Sequence, residues 1–529
     1  MTPPEGDRIE AQPGKADVLI VGGGAVGLAM AVRLARRGVR VLLLEAGPAT
    51  PPARYEQFNK GRLVGRPHRG LTQGRMRALG GTTRLWGGQL VPFSAQDFDG
   101  PTVDGPSPWP VRHVEIAPAI DTAFRFLGID AAGAEPDTIW RRASKLPATL
   151  GERLRLRLNI WLPQPDFTRL FADDLRSLSS LTIVTDHPVT RLRFAAQGRV
   201  AGVEVDRPDG TVAHFAADHV VLATGTFENV KLLLRTAATE PRCGFEGNSN
   251  IGKGYIDHLH GLAGTIHVAD ARRMRELFDN IYFDGRKHGV KVEATEAFRT
   301  EHGGANCAGT INTPTSVGVL VQDLRGLLGR IRGNPGDARL LDAGRNAFTL
   351  SRILFPLAIR YLWHRRSTSL LSLGVSFGVE IEQIVTSKSY LTLEADVPPE
   401  RAEICLHWNL DGREIDTVAA FCEEAAAAFV ATGLGTIDID PRITARDPAF
   451  LLSCHDSSHQ MGGSRMAASA ADGVVDRDLR VWGTDNLHVA GACTFPTGSF
   501  ANPTLTAIAF ALRLADHLTA QVRPVGAAT

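Results

Sequence analysis

Two groups of residues in the 529-residue chain have types and spacing that can do chemistry. The first is Gly22-Gly23-Gly24-Ala25-Val26-Gly27, a G-x-G-x-x-G turn made by Gly22, Gly24 and Gly27. Between a strand and a helix such a turn serves a dinucleotide. Gly22 permits the tight bend, Gly24 lets backbone N–H groups approach a pyrophosphate, and Gly27 lets the helix pack on the strand with its positive end under the phosphates. Glu45 ends the next strand pattern, where a carboxylate can hydrogen-bond both ribose hydroxyls and disfavours a 2′-phosphate. FAD and NAD both satisfy this half of the chemistry. The second group is histidine: His455 and His459 lie four apart, and His258 and His260 sit together in IDHLHG. The first pair has the spacing of two ligands on one helical face, but the Glu of H-E-x-x-H is missing and no third ligand is evident, so no metal site is expected. His258 and His260 either border a cavity or serve the structure.

The elements that must position these residues follow from hydrophobic pattern. Asp17 to Val21 reads as a buried strand, Gly22 to Gly27 as a turn, Leu28 to Arg37 as a helix stopped by Gly38, and Val39 to Leu44 as a second strand. This is one βαβ unit. From Leu181 to Ala223 the segments LTIVTD, PVTRLRF, RVAGVEVDRPDG and TVAHFAADHVVLATG read as a meander returning to the parallel sheet, with Asp209-Gly210 as a turn. Asn486 to Ala490 reads as a strand and Thr504 to Ala520 as a long helix. The stretches 110 to 170 and 262 to 445 differ in character, the second holding strand patterns such as SLGVSFGVEIEQIV and RAEICLHW. The chain leaves one domain, builds another and returns.

Bulk composition narrows the classes. With 58 basic and 57 acidic residues the formal charge is +1, which gives no support for a nucleic-acid partner. Six cysteines, Cys243, Cys307, Cys405, Cys422, Cys454 and Cys493, form no C-x-x-C pair, which fits a reducing compartment and a cytoplasmic enzyme. The polar N-terminus lacks the apolar run of a signal peptide. No window holds the ~18 uninterrupted apolar residues of a membrane span. The nearest is Phe348 to Arg366, where Arg352, Pro356 and Arg360 stripe an apolar helix that either packs on its own domain or lies on a membrane surface.

The stretch Arg75-Met76-Arg77-Ala78-Leu79-Gly80-Gly81-Thr82-Thr83-Arg84-Leu85-Trp86-Gly87-Gly88 resembles the flavin-contact loop of the glucose-methanol-choline oxidoreductases. The similarity continues through Trp109-Pro110, ATGTFENVKLLL at 223 to 234, IGKGYIDH at 251 to 258, EQIV at 382 to 385 and LHWNLDGREID at 406 to 416. It closes with SSHQMGGSRM at 457 to 466 and the block from 474 to 518, which is the most specific part and is most similar to the pyranose oxidase and sugar-acid dehydrogenase branch. The resemblance implies an α/β fold: a Rossmann-like FAD-binding domain (14–110, 171–261 and 446–521) and a discontinuous substrate domain (111–170 and 262–445) on a mainly antiparallel sheet. It implies FAD contacts at Gly22, Gly24, Gly27, Glu45, Gly80, Gly81, Thr82, Trp86, Val189, Ala223, Gly491, Ala492, Pro503 and Thr504. It also implies His459, in His-x-Met-Gly, and Asn502, in Asn-Pro-Thr, as the catalytic pair. Other members carry a second His at the latter position, and here the chain departs from them.

The implied reaction is oxidation of a hydroxyl group on a carbohydrate, glycoside or polyol. A neutral His, with an ordinary pKa of ~6.5, can take the hydroxyl proton near neutral pH. Asn502 can donate its amide N–H to the developing alkoxide. It also stands where an N-cap would, with Pro503 at the first helical position. Leu85 occupies the place of the histidine that pyranose oxidase bonds to its flavin, so FAD is expected to be non-covalent. The alternatives are a lyase with redox-silent FAD, as in hydroxynitrile lyases of this family, oxidation of a non-sugar alcohol, and an aromatic hydroxylase. The last needs a Gly-Asp flavin segment where this chain reads VAGACTFPTGSF. Oxygen, a quinone or a carrier protein can each serve as electron acceptor.

Overall fold

Ala16–Val21 is buried at every position, as a central parallel strand covered on both faces should be. In this computed structural model, which describes residues 15–105, 107–130, 136–207, 209–302, 305–313, 360, 365–369 and 371–522, it lies between two parallel neighbours, Val41–Leu44 and Val212–Leu222. The sheet runs Leu181–Val184, Val41–Leu44, Ala16–Val21, Val212–Leu222, Arg199–Asp206, Val189–Ala196, with Leu487–Val489 pairing Val212–Leu222. Leu181–Val184, read above as part of the meander, is instead the parallel strand beside Val41–Leu44. Val212–Leu222 changes partners along its length. Val212 to Ala216 run antiparallel to Gly202 to Asp206, whereas Val220 to Leu222 lie between Ala16–Val21 and Leu487–Val489.

The first helix is Ala25–Ala35, three residues earlier at its start than the pattern suggests. The glycine turn itself enters the helix, because Leu28 N–H already reaches back to the Gly24 carbonyl. The helix packs on Pro503–Gln521, and Arg33 grips Asp516 through two hydrogen bonds of 2.9 and 3.0 Å.

The second sheet is antiparallel, in the order Gly435–Ile439, His258–Val268, Ser376–Glu382, Cys307–Asn312, Arg286–Ala294, Leu154–Trp161, Gln89–Leu90. The alternation SFGVEIE shows how it is used. Phe377, Val379 and Ile381 are fully buried, and Phe377 stacks on Phe421 of the helix Glu414–Ala431 at 6.3 Å. The opposite face carries Glu380 and Glu382, with His260 and His258 directly across from them, and Thr310 and Lys291 further along in register. Ile404–Trp408 is a strand but stands outside this sheet, between Tyr390–Leu393 and Arg62–Gly65. The reading of a surface helix at Phe348 to Arg366 falls outside the described residues apart from Arg360, Arg365 and Arg366. Among the described residues no helix is long and apolar enough to cross a membrane.

Candidate active site

The carboxyl ends of the parallel strands open into a cavity of about 610 Å³, where an open α/β sheet binds its ligand. Its wall includes Gly22, Gly24, Glu45, Gly81, Thr82, Trp86, Val189, Ala223, Gly491, Ala492, Pro503, Thr504 and His459. Gly27, Gly80 and Asn502 lie off it. A side chain at Gly27 would run into the Gly22 carbonyl, so its bareness lets the helix sit on the turn. Gly81 has φ +53° and an added Cβ would stand 2.9 Å from Gly24 Cα, so the 75–88 loop folds directly onto the glycine turn.

These features fit FAD. Gly24 caps the Ala25–Ala35 helix without a side-chain acceptor and no acid stands in the first turn, so the helix presents uncompensated positive charge to the cavity. Glu45 is 6% exposed. It accepts the Gly23 and Gly47 N–H groups at 2.8 and 2.9 Å, one on each oxygen. Burial pushes its carboxyl up, and those backbone bonds pull it back. A charged cluster in the wall was not legible in the sequence. Glu228 meets Lys231 at 2.7 Å, Arg77 at 2.8 Å and Arg75 at 3.5 Å. Burial opposes its charge, but Lys231, Arg77 and Arg75 outweigh it and bring Glu228 to about 2.

His459, in the cavity wall, meets Asn502, which immediately precedes the wall residue Pro503. Asn502 Nδ2 lies 3.0 Å from His459 Nε2, and His459 Nδ1 lies 3.0 Å from His258 Nδ1. With the amide nitrogen toward the ring, Nε2 is the bare nitrogen and Nδ1–H is donated to His258. Asn502 occupies the N-cap position of Pro503–Gln521, yet its side chain makes no capping bond. Burial lowers the pKa of His459; for His258 burial, the neighbouring His459 and Lys291 all push it well down. Both rings are therefore neutral near pH 7.

Asp257 holds this arrangement from below. One carboxylate oxygen accepts the N–H groups of His258, His459 and Ser457 at 2.7, 2.9 and 3.3 Å, and the other faces His68 Nε2 at 3.2 Å. His68 Nδ1 in turn accepts Leu71 N–H at 3.1 Å, and Asp456 accepts the N–H groups of Arg69 and Gly70. His68, Asp257 and Asp456 bring ligand-type atoms within 4.8 Å of one another, but these atoms are already engaged in tying the His459 segment to the 68–71 turn. His455 belongs to the short strand His455–Asp456 and stacks on His260 at 5.3 Å, so the two-on-one-helix spacing with His459 is not realised.

Comparison with known proteins places the chain among flavin-dependent oxidoreductases. Residues 385–511 match the family GMC oxidoreductase and residues 17–245 match FAD dependent oxidoreductase. The chain is 22% identical to 2-methyl-1,2-propanediol dehydrogenase of Mycolicibacterium austroafricanum over 96% of its own length and 95% of that protein. It is 36% identical to C-glycoside 3-oxidase of Microbacterium trichothecenolyticum across 119 residues, which are 22% of this chain and only 21% of that enzyme. Pyridoxine 4-oxidase from Mesorbium loti has a similar fold, with a TM-score of 0.58 at 17% identity, covering 95% of this chain and 99% of that one. The chain belongs to the GMC oxidoreductase family and is an FAD-dependent oxidoreductase.

Proposed function

We propose that the enzyme oxidises a hydroxyl group on a carbohydrate, glycoside or polyol, with His459 as the proton acceptor and Asn502 as the oxygen's hydrogen-bond donor. The observation that carries this reading is the 3.0 Å His459–Asn502 contact, made by an asparagine that forgoes its capping bond. When bound, FAD supplies the hydride acceptor. The Nε2 lone pair of His459 is free of its own proton because Nδ1 carries the hydrogen toward His258. A substrate hydroxyl that replaces the His459–Asn502 hydrogen bond gives its proton to Nε2 and receives the freed amide N–H on its oxygen. His258 positions the ring and fixes its tautomer. The likeness to a C-glycoside 3-oxidase and to a diol dehydrogenase supports hydroxylated substrates.

The same reading divides the chain into an FAD-binding domain (14–110, 171–261 and 446–521) and a substrate domain (111–170 and 262–445). The parallel and antiparallel sheets support that division, although Gln89–Leu90, the start of His258–Val268 and His455–Asp456 cross it to join the antiparallel sheet. The six buried, free cysteines support a cytoplasmic location.

On this reading FAD is held without a covalent bond: Leu85, which by the resemblance stands in place of a linking histidine, lines the cavity. Acid precipitation is expected to leave yellow FAD in the supernatant and a bare-chain mass; a yellow pellet overturns this. For the chemistry, His459→Ala should slow anaerobic flavin reduction by roughly 10² to 10⁴ while the flavin spectrum stays normal. Reduction at the wild-type rate removes His459 from the mechanism.

A further inference from the structure

The polar face of the antiparallel sheet carries a second cavity, of about 750 Å³, with the ion pair Lys291–Glu380 on its floor. Lys291 Nζ lies 5.7 Å from the ring centre of Phe500, two residues before Asn502, and Glu380 stands in register with His260. The cavity therefore abuts the elements that hold His459 and Asn502. Trp161, also in its lining, lies against Gly87 of the 75–88 loop. Among the described residues, four buried polar atoms of its lining have no hydrogen-bond partner: Asn159 Oδ1, Thr310 Oγ1, Trp161 Nε1 and Asp279 Oδ2, the last held only in an ion pair with Arg360 at 2.8 Å. Asn159 is only 4% exposed. Folded proteins pair almost all such atoms, because leaving them unpaired is destabilising.

We propose that this cavity is a hydroxyl-reading subsite in which Lys291 and Glu380, with Asn159 and Thr310, select neutral substrates carrying further hydroxyls beside the one oxidised. The inventory of groups supports that ligand class. An ammonium only donates and a carboxylate only accepts, whereas a hydroxyl does both, so two neighbouring hydroxyls can bridge the pair. Asn159 Oδ1 adds an acceptor, Trp161 Nε1 a donor, and Thr310 either. The two floor charges cancel, which gives an anionic sugar acid no advantage. An alcohol with a single hydroxyl would leave the Asn159, Trp161 and Thr310 atoms buried and unsatisfied, the situation in which polar sites discriminate most strongly. The proposal rests on hydroxyl oxidation as the reaction, but binding tests it without turnover.

The test uses the FAD-loaded enzyme and four probes: methyl β-D-glucopyranoside, myo-inositol, gluconate and cyclohexanol. Lys291→Met with Glu380→Met removes both charges together, so no lone buried charge is left behind. Asn159→Leu is the second variant, in case the first does not fold. Methyl glucoside or inositol is expected to raise the wild-type Tm and to raise the variants' Tm far less. The ratio of kcat/KM for methyl glucoside over cyclohexanol, read from anaerobic flavin reduction, should fall by roughly 100-fold in the double variant. The subsite is overturned if neither polyol stabilises the wild type, if gluconate stabilises it more, or if a folded, flavin-bearing variant responds to polyols as the wild type does. Polyol stabilisation that the variants lose, without flavin reduction by any probe, would uphold the subsite and sink hydroxyl oxidation instead.

Discussion

Replacing His258 with Leu isolates the tautomer argument from the rest of the site. His258 is 1% exposed, and its Nδ1 is the acceptor, at 3.0 Å, for the proton on His459 Nδ1. Without it, that N–H is buried unpaired, which costs about 1–3 kcal/mol, or the proton moves to Nε2 and blocks the lone pair that accepts the substrate proton. At about 1.4 kcal/mol per tenfold, either route slows flavin reduction by roughly 10- to 100-fold. The assay is anaerobic stopped-flow reduction of His258→Leu, His459→Ala and the double variant, with the oxidised flavin spectrum as the check on folding. Residues that act as one unit are not additive, so the double variant should be no slower than His459→Ala alone. Wild-type reduction by His258→Leu, or a double variant slowed by the product of the two single effects, would refute the reasoning.

Two further outcomes concern pH. Because burial lowers the His459 pKa, the ring stays unprotonated further into acid, and the acid limb of the flavin-reduction rate should have its midpoint below 6.5; a midpoint above 6.5 contradicts this. His488, pushed down to about 3 mainly by burial, is neutral in the folded chain but takes a proton below pH ~6.5 when unfolded. Its contribution to stability is complete above pH 6.5 and lost as pH falls toward 3, amounting to about 2 kcal/mol between pH 7.5 and 5. Urea titrations at the two pH values, compared with His488→Gln, measure it, and an equal pH dependence in both proteins would show that His488 is not responsible.

Local pattern made some of this molecule legible and long-range pairing hid the rest. The glycine turn, the buried VLIV run and the SFGVEIE alternation each declare an element through neighbours in sequence. The resemblance in the closing block brought out His459 and Asn502, which are 43 residues apart. His258 was visible only as a histidine near a cavity, because its partner stands 201 residues away and the strand register that joins them is not a property of either segment. Lys291 and Glu380 were not singled out, since a Lys and a Glu on strands 89 residues apart look like solvated charges until the sheet puts them on one buried face. The Glu228 cluster escaped for the same reason, with Arg77 lying 151 residues from its carboxylate.

The bond between Arg33 and Asp516 spans 483 residues, and the cofactor cavity takes its walls from both ends of the chain. During synthesis, the apolar face of Ala25–Ala35 emerges from the ribosome long before Pro503–Gln521 exists to cover it. Val212–Leu222 likewise waits for Leu487–Val489 to complete its parallel side. A topology with such distant partners folds slowly and leaves sticky surface exposed in the interval. Cofactor loading consequently waits for Pro503, Thr504 and Ala507, which complete the cavity wall.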